Sequence, residues 1–124
     1  MSKGKNDCCG GSVTLIFPCS GASNTGEMCD RAARKLTREG AGKMSCLAGI
    51  GGKIKSMIDG AKAADKVLVL DGCPLACAQK TMEQAGIKSF AHVQITDLGL
   101  VKGKSPVNDD NIKLVVDRGK ALLV

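Results

Sequence analysis

Seven cysteines carry most of the chemistry open to this 124-residue chain: Cys8, Cys9, Cys19, Cys29, Cys46, Cys73 and Cys77. Residues 1–11 are polar and glycine-rich, with no apolar stretch of signal-peptide type, so the chain is expected in the cytoplasm. Thiols stay reduced there, and cysteines then serve metal binding or redox chemistry rather than a disulfide framework. An odd count also cannot pair completely.

Other chemistries have weaker support. Gly52-Lys53 is followed by Ile54 rather than Ser or Thr, and Leu47 stands where a phosphate-binding loop needs its first glycine. The loop after Cys19 has no arginine, which disfavours a phosphatase-like cradle. His92, the single histidine, falls in an alternating strand pattern and reads as a surface residue rather than a ligand. The net charge of +6 could attract nucleic acid, but the lysines are scattered and aromatic residues make up only 2%, Phe17 and Phe90. Single-strand binders need aromatic platforms between their charges, so nucleic acid is not expected as a partner. No segment approaches the roughly 20 apolar residues of a membrane span.

The elements that must position the cysteines follow from periodicity. Residues 12–17 read as a buried first strand stopped by Pro18. A first helix is expected from Thr25, with Asn24 as its cap, Glu27 completing a capping-box-like pattern, and Met28, Ala32, Ala33 and Leu36 as its apolar stripe. Residues 43–48 read as a short second strand. Gly49, Gly51 and Gly52 turn the chain into a helix burying Ile54, Met57, Ile58 and Ala61. Residues 66–70 form a near-continuous apolar run that suits a central parallel strand. Pro74 is expected at the first position of the next helix, whose stripe is Leu75, Ala78, Met82 and Ala85. Ala91, Val93 and Ile95 alternate with polar residues, as in an edge strand. Asp109 or Asp110 caps a last helix carrying Ile112, Val115, Val116 and Leu122, which Gly119 weakens.

Strands alternating with helices give an α/β fold: residues 1–11 as a flexible polar head, and residues 12–124 as one domain. Right-handed crossovers favour a parallel four-stranded sheet of order 2-1-3-4 with helices on both faces, Rossmann/flavodoxin-like. Cys19, Cys46 and Cys73 then fall at the carboxyl ends of three strands, and Cys77 lies four residues past Cys73. In this topology ligands bind at that edge, between strands one and three. Neighbouring strands are about 4.8 Å apart, and tetrahedral zinc with Zn–S of about 2.3 Å needs sulfurs roughly 3.8 Å apart. Cys19 and Cys73 meet that across adjacent strands; Cys46 must reach from the far side of strand one. Asp71 reads equally as a turn cap or as a group orienting thiolates, and Asp97 first as a turn cap. Cys29 reads as buried filler on the first helix, and Cys8 and Cys9 as exposed thiols with a spare-ligand role as the alternative.

The words Pro18-Cys19-Ser20-Gly21-Ala22-Ser23-Asn24, Ser45-Cys46-Leu47-Ala48-Gly49 and Asp71-Gly72-Cys73-Pro74-Leu75-Ala76-Cys77 stand together with Thr96-Asp97-Leu98-Gly99. In these words the chain resembles the DGC-domain family, named for its Asp-Gly-Cys motif and described as zinc-binding. The resemblance runs from about Val13 to Lys102. It implies four chelating cysteines, which map onto Cys19, Cys46, Cys73 and Cys77, and brings no reaction with it.

The leading expectation is a metal-binding protein holding one zinc ion through Cys19, Cys46, Cys73 and Cys77. Its role would be structural or one of metal storage, sensing or delivery, with a metal donor or acceptor protein as partner. Two rivals use the same sulfurs. One is a thiol-redox, sulfur-transfer or oxyanion-reducing enzyme with Cys19 or Cys73 as nucleophile and Cys77 as resolving partner. The other is an iron–sulfur protein.

Overall fold

The computed structural model describes residues 12–19 and 21–124. The expected polar head, residues 1–11 with Cys8 and Cys9, lies outside the described residues, as does Ser20. The strands are β1 (Thr14–Pro18), β2 (Lys43–Met44), β3 (Lys66–Asp71) and β4 (Ala91–Gln94). The helices are α1 (Asn24–Arg38), α2 (Leu47–Gly51), α3 (Lys55–Ala63), α4 (Cys77–Gln84) and α5 (Asp109–Leu123), with a 3-10 turn at Ile95–Leu98. All strand pairs are parallel and the order is β2-β1-β3-β4, as the crossover argument requires. No helix among the described residues is long and apolar enough to cross a membrane.

The centre of the sheet is the β1–β3 pair, with Ile16 beside Leu68 and Phe17 beside Val69. Val67 through Leu70 are buried, so both faces of β3 are covered, as its unbroken apolar run demands. α1 and α5 pack together over the face carrying Leu68. Asp71, of the opposite parity, meets the start of α4 on the other face, where α2 and α4 are in contact.

Several boundaries differ from expectation for local reasons. Pro18 does not stop β1 but ends it in register with Leu70. Cys19 N–H bonds Leu70 O at 2.8 Å, so the preceding residue faces the β2 side, where Ser45 N–H on Ile16 O is the last contact and a missing N–H costs nothing. The cap of α1 is Ser23, whose Oγ accepts from Gly26 N–H at 3.1 Å, not Asn24. Glu27 therefore stands one position too late for a capping box and pairs with Arg31 instead. β2 is only two residues long, and Cys46 leaves it as the cap residue of α2. Gly49 and Gly51 lie inside that helix rather than in a turn, and a Cβ on Gly49 would sit 2.1 Å from Met57 Sδ. Ile54 caps α3 and is half exposed, leaving Ala61 buried and Met57 and Ile58 partly so.

The helix after β3 starts at Cys77, not at Pro74. Residues 73–76 form a turn closed by Ala76 N–H on Cys73 O at 3.0 Å, Ala76 takes the left-handed conformation at φ 49°, and Leu75 projects into solvent. The alternation of β4 breaks at Ile95, which enters the 3-10 turn while staying buried. Asn108, not Asp109 or Asp110, caps α5 by accepting from Asn111 N–H, and the two aspartates occupy the first turn, where the helix dipole favours them.

Gly119 has a packing role in α5. A Cβ there would lie 3.1 Å from Leu68 Cδ2 and 3.3 Å from Leu36 Cδ1, so the missing side chain lets α5 settle against β3 and α1. Gly119→Val should therefore destabilise the fold by about 1–3 kcal/mol, although it removes a poor helix former. Urea titration of the variant against the wild type measures this.

Candidate thiolate site

The site is built where β1 and β3 end side by side. Cys19 follows β1 directly, held by its N–H on Leu70 O. β3 runs into Asp71-Gly72-Cys73, and this segment lies against the first turn of α1. A Cβ on Gly72 would stand 2.9 Å from Gly26 N and from Thr25 C, and one on Gly26 only 2.7 Å from Gly21 O. Two glycines thus let three backbone segments touch, bringing the loop after β1 up to the turn after β3.

Asp71 organises that turn. It is 1% exposed, and its carboxylate accepts Ala78 N–H at 2.8 Å and Gln79 N–H at 3.0 Å. It thereby caps α4 from the end of a strand, which sets where Cys77 begins the helix. Its third partner is His92 Nε2 at 2.8 Å; a carboxylate only accepts, so Nε2 carries the hydrogen. His92 is consequently a largely covered partner of Asp71, not the surface residue that strand alternation suggested. Of the two readings open for Asp71, the geometry supplies the cap. Asp97 is exposed in the 3-10 turn, within reach of Gln94 at the end of β4, and does not line the cavity that Cys19, Cys73 and Cys77 share.

A cavity of about 470 Å³ opens here, and Cys19, Cys73 and Cys77 all line it, together with Leu47, Leu75, Asp71 and Lys102. Cys46 does not line it, though its neighbour Leu47 does; Cys46 itself is exposed at the start of α2. The four sulfurs form a gradient: Cys19 is buried, Cys73 partly covered, and Cys46 and Cys77 open to solvent. With the side chains as they stand, no three of Cys, His, Asp and Glu among the described residues converge on a metal-sized point. The donor chemistry suits zinc or another thiophilic ion. Its closure requires the outer cysteines to turn inward.

Cys19 is the most distinctive sulfur. Its pKa is lowered from 9.0 to about 7, chiefly because Cys29 donates its S–H; burial opposes this, and Gly72 and Gly21 N–H groups add to it. The Gly72 N–H lies 3.3 Å from Cys19 Sγ. Cys29 moves the opposite way, first through that donation and then through burial, and keeps its proton. Read from the sequence as filler, Cys29 is fully buried, and it is also the donor that steadies the Cys19 thiolate. Sequence reading also missed Lys102, whose Nζ lies 3.8 Å from Cys73 Sγ and whose position in a polar loop gave no signal.

Two outcomes follow from this geometry. Asp71→Ala strands buried donors at the start of α4 and should cost about 1–3 kcal/mol or more, with faster hydrogen exchange at Ala78 and Gln79; Asp71→Asn, which keeps one acceptor oxygen, should cost less. In metal-free protein, alkylation of Cys19 should rise with pH through a midpoint near 7, because only the thiolate reacts. Cys29→Ala should move that midpoint upward and Cys29→Ser should move it less, as mass mapping across a pH series would show.

The model of the DGC domain family matches residues 15–118. The anaerobic and virulence modulator AnvM of Pseudomonas aeruginosa is 33% identical over 90 residues, covering 73% of this chain and 69% of that protein. No solved structure matches the chain. The family match covers β1 from Leu15 onward, all of β2, β3 and β4, and every one of the cysteines Cys19, Cys46, Cys73 and Cys77. On both grounds the chain belongs to the DGC-domain family.

Proposed function

We propose that this protein binds one thiophilic divalent metal ion, zinc, at the carboxyl edge of its sheet, through Cys19, Cys73 and Cys77 with Cys46 as the fourth thiolate. The observation that carries the reading is the shared cavity: three cysteines from two separate chain segments line it at the point where the strand order reverses. The lowered pKa of Cys19 adds to it, since the thiolate is the ligating form. Cys73 and Cys77 share the cavity wall with Cys19, and the proposal requires their side chains to turn toward one point. Cys46, which does not line the cavity, has to move toward it. When bound, the metal would tie the loop after β1 to the turn before α4. A closed four-thiolate shell performs no hydrolysis, so the role that follows is sensing, storage or delivery rather than catalysis. AnvM carries the name of a modulator, which accords with a regulatory role of this kind.

The stabilised Cys19 thiolate also favours a second reading, a thiol-redox or sulfur-transfer site in which Cys19 is the nucleophile. Elemental analysis and the visible spectrum of anaerobically purified protein separate the readings. One zinc per chain in colourless protein supports the first, brown iron-containing protein would replace zinc by a cluster, and metal-free protein with a fast-reacting Cys19 supports the second. Under the zinc reading, Cys73→Ser and Cys77→Ser should each remove most of the metal, while Cys8→Ser and Cys9→Ser should not. Affinity should fall as pH drops and the thiolates protonate. Chelation should lower the melting temperature yet leave far-UV dichroism largely native, because the core of Ile16, Phe17, Leu68, Val69, Leu70 and the α1 and α5 stripes contains no metal ligand other than Cys19. Loss of helix on chelation would contradict that.

A further inference from the structure

We propose that Lys102 is the cationic arm of the thiolate site: a loop pinned by Asn24 delivers its ammonium to Cys73 Sγ, where it balances the negative charge of a metal–thiolate centre. The inference rests on the metal reading above and assigns a further residue to it. A divalent ion with three thiolates carries a net negative charge, and with four it carries two. That charge sits beside Leu47, Leu75 and Ala22, in a cavity whose wall is mostly apolar. A nearby cation and N–H donors offset such a charge, and groups of this kind tune metal affinity. The Gly72 N–H already serves Cys19, and Lys102 stands in the corresponding place at Cys73.

Lys102 is exposed, as a lysine in a polar loop ordinarily is, but the loop that carries it is fixed in place. The Asn24 side chain alone makes three hydrogen bonds to it. Its Nδ2 donates to Val101 O at 3.1 Å and to Ser105 O at 2.7 Å, and its Oδ1 accepts from Gly103 N–H at 2.7 Å. Ser105 Oγ closes the loop internally by accepting from Val101 N–H at 2.7 Å. Gly103, at φ 84°, takes a left-handed turn that a side chain would strain. Asn24 follows the Ser23 cap at the start of α1, so the element that leads out of the Cys19 loop also holds the Lys102 loop. Lys35, Lys55, Lys113 and Lys120 pair with carboxylates, whereas Lys102 pairs with none among the described residues and points to a sulfur.

The test compares zinc affinity, by competition with a chromogenic chelator, in the full-length wild type and in Lys102→Met, Lys102→Arg and Asn24→Ala, each checked for native dichroism. Lys102→Met should bind about tenfold more weakly, Lys102→Arg should stay close to the wild type, and Asn24→Ala should fall in between. The wild-type advantage should shrink as salt rises. A second readout needs no metal. In apo protein, the rate of Cys73 alkylation by anionic iodoacetate relative to neutral iodoacetamide should drop about threefold in Lys102→Met, because an attracting charge is lost. Taking the ratio cancels the reactivity of the thiol itself. Unchanged affinity in Lys102→Met, with wild-type zinc binding intact, overturns the role of Lys102 and leaves the metal reading standing. A wild type that takes up no zinc overturns both. An unchanged reagent ratio overturns the placement of Lys102 at Cys73.

Discussion

A carboxylate taken out of water must find donors, and at Asp71 that requirement shapes one end of the molecule. The group sits at the last residue of β3 with 1% exposure, so water cannot solvate it. Two of its donors are the free amides at the start of α4, and the third is the imidazole of His92 on β4. One side chain therefore ties a central strand to the following helix and to the edge strand. The segment between strand and helix has to close as a tight turn, which Cys73 opens and which Cys77 follows as the first residue of α4. The Asp-Gly-Cys word thus has a structural sense before it has a chemical one: the aspartate caps, the glycine permits contact with α1, and the cysteine is presented to the cavity.

The glycine matters because three backbones meet at one place. Gly72 lies against Thr25 and Gly26, and Gly26 lies against Gly21, at distances no Cβ could occupy. Through this contact the loop after β1 cannot swing away from the turn after β3. Cys19 is consequently held with its sulfur toward the Gly72 amide, and Cys29, one turn further along α1, supplies the other principal donor. The stabilised thiolate results first from the Cys29 S–H and then from the Gly72 and Gly21 amides that backbone packing brings to it, while the charge on Asp71 works against it.

The sheet order was legible because it follows from a few strong signals: the apolar runs of β1 and β3, the stripe of Met28, Ala32, Ala33 and Leu36, and the handedness of crossovers. The meeting of Cys19, Cys73 and Cys77 at one cavity was legible as a consequence of that order. Local starts were not. Ser23 and Asn24 are adjacent residues with equal capping ability, and only the far loop at residues 101–105, which Asn24 binds, decides between them. Pro74 is an ordinary first residue of a helix, but a carboxylate at position 71 accepting from positions 78 and 79 moves the start to Cys77. Gly119 carries a helix penalty in any propensity scale, and the packing against Leu68 and Leu36 that offsets it comes from residues distant in sequence. Each of these choices is made by a partner far along the chain, which local pattern cannot register.

The gradient of exposure across the four cysteines gives the proposed metal site its direction. Cys19 is buried on the cavity wall and takes donors from Cys29, Gly72 and Gly21, so its thiolate form is favoured. Cys77 and Cys46 stand at the solvent side, each at the very beginning of a helix, where a rotation about one or two bonds changes what the sulfur faces. In the proposed site, an arriving ion would meet the exposed thiols first and the buried thiolate last. Exchange of ligands one at a time in that order would leave the core closed, because Cys46, Cys73 and Cys77 lie outside the core cluster to which Cys19 belongs. Such an arrangement would suit the proposed role of sensing, storage or delivery, in which the protein takes up and releases its metal.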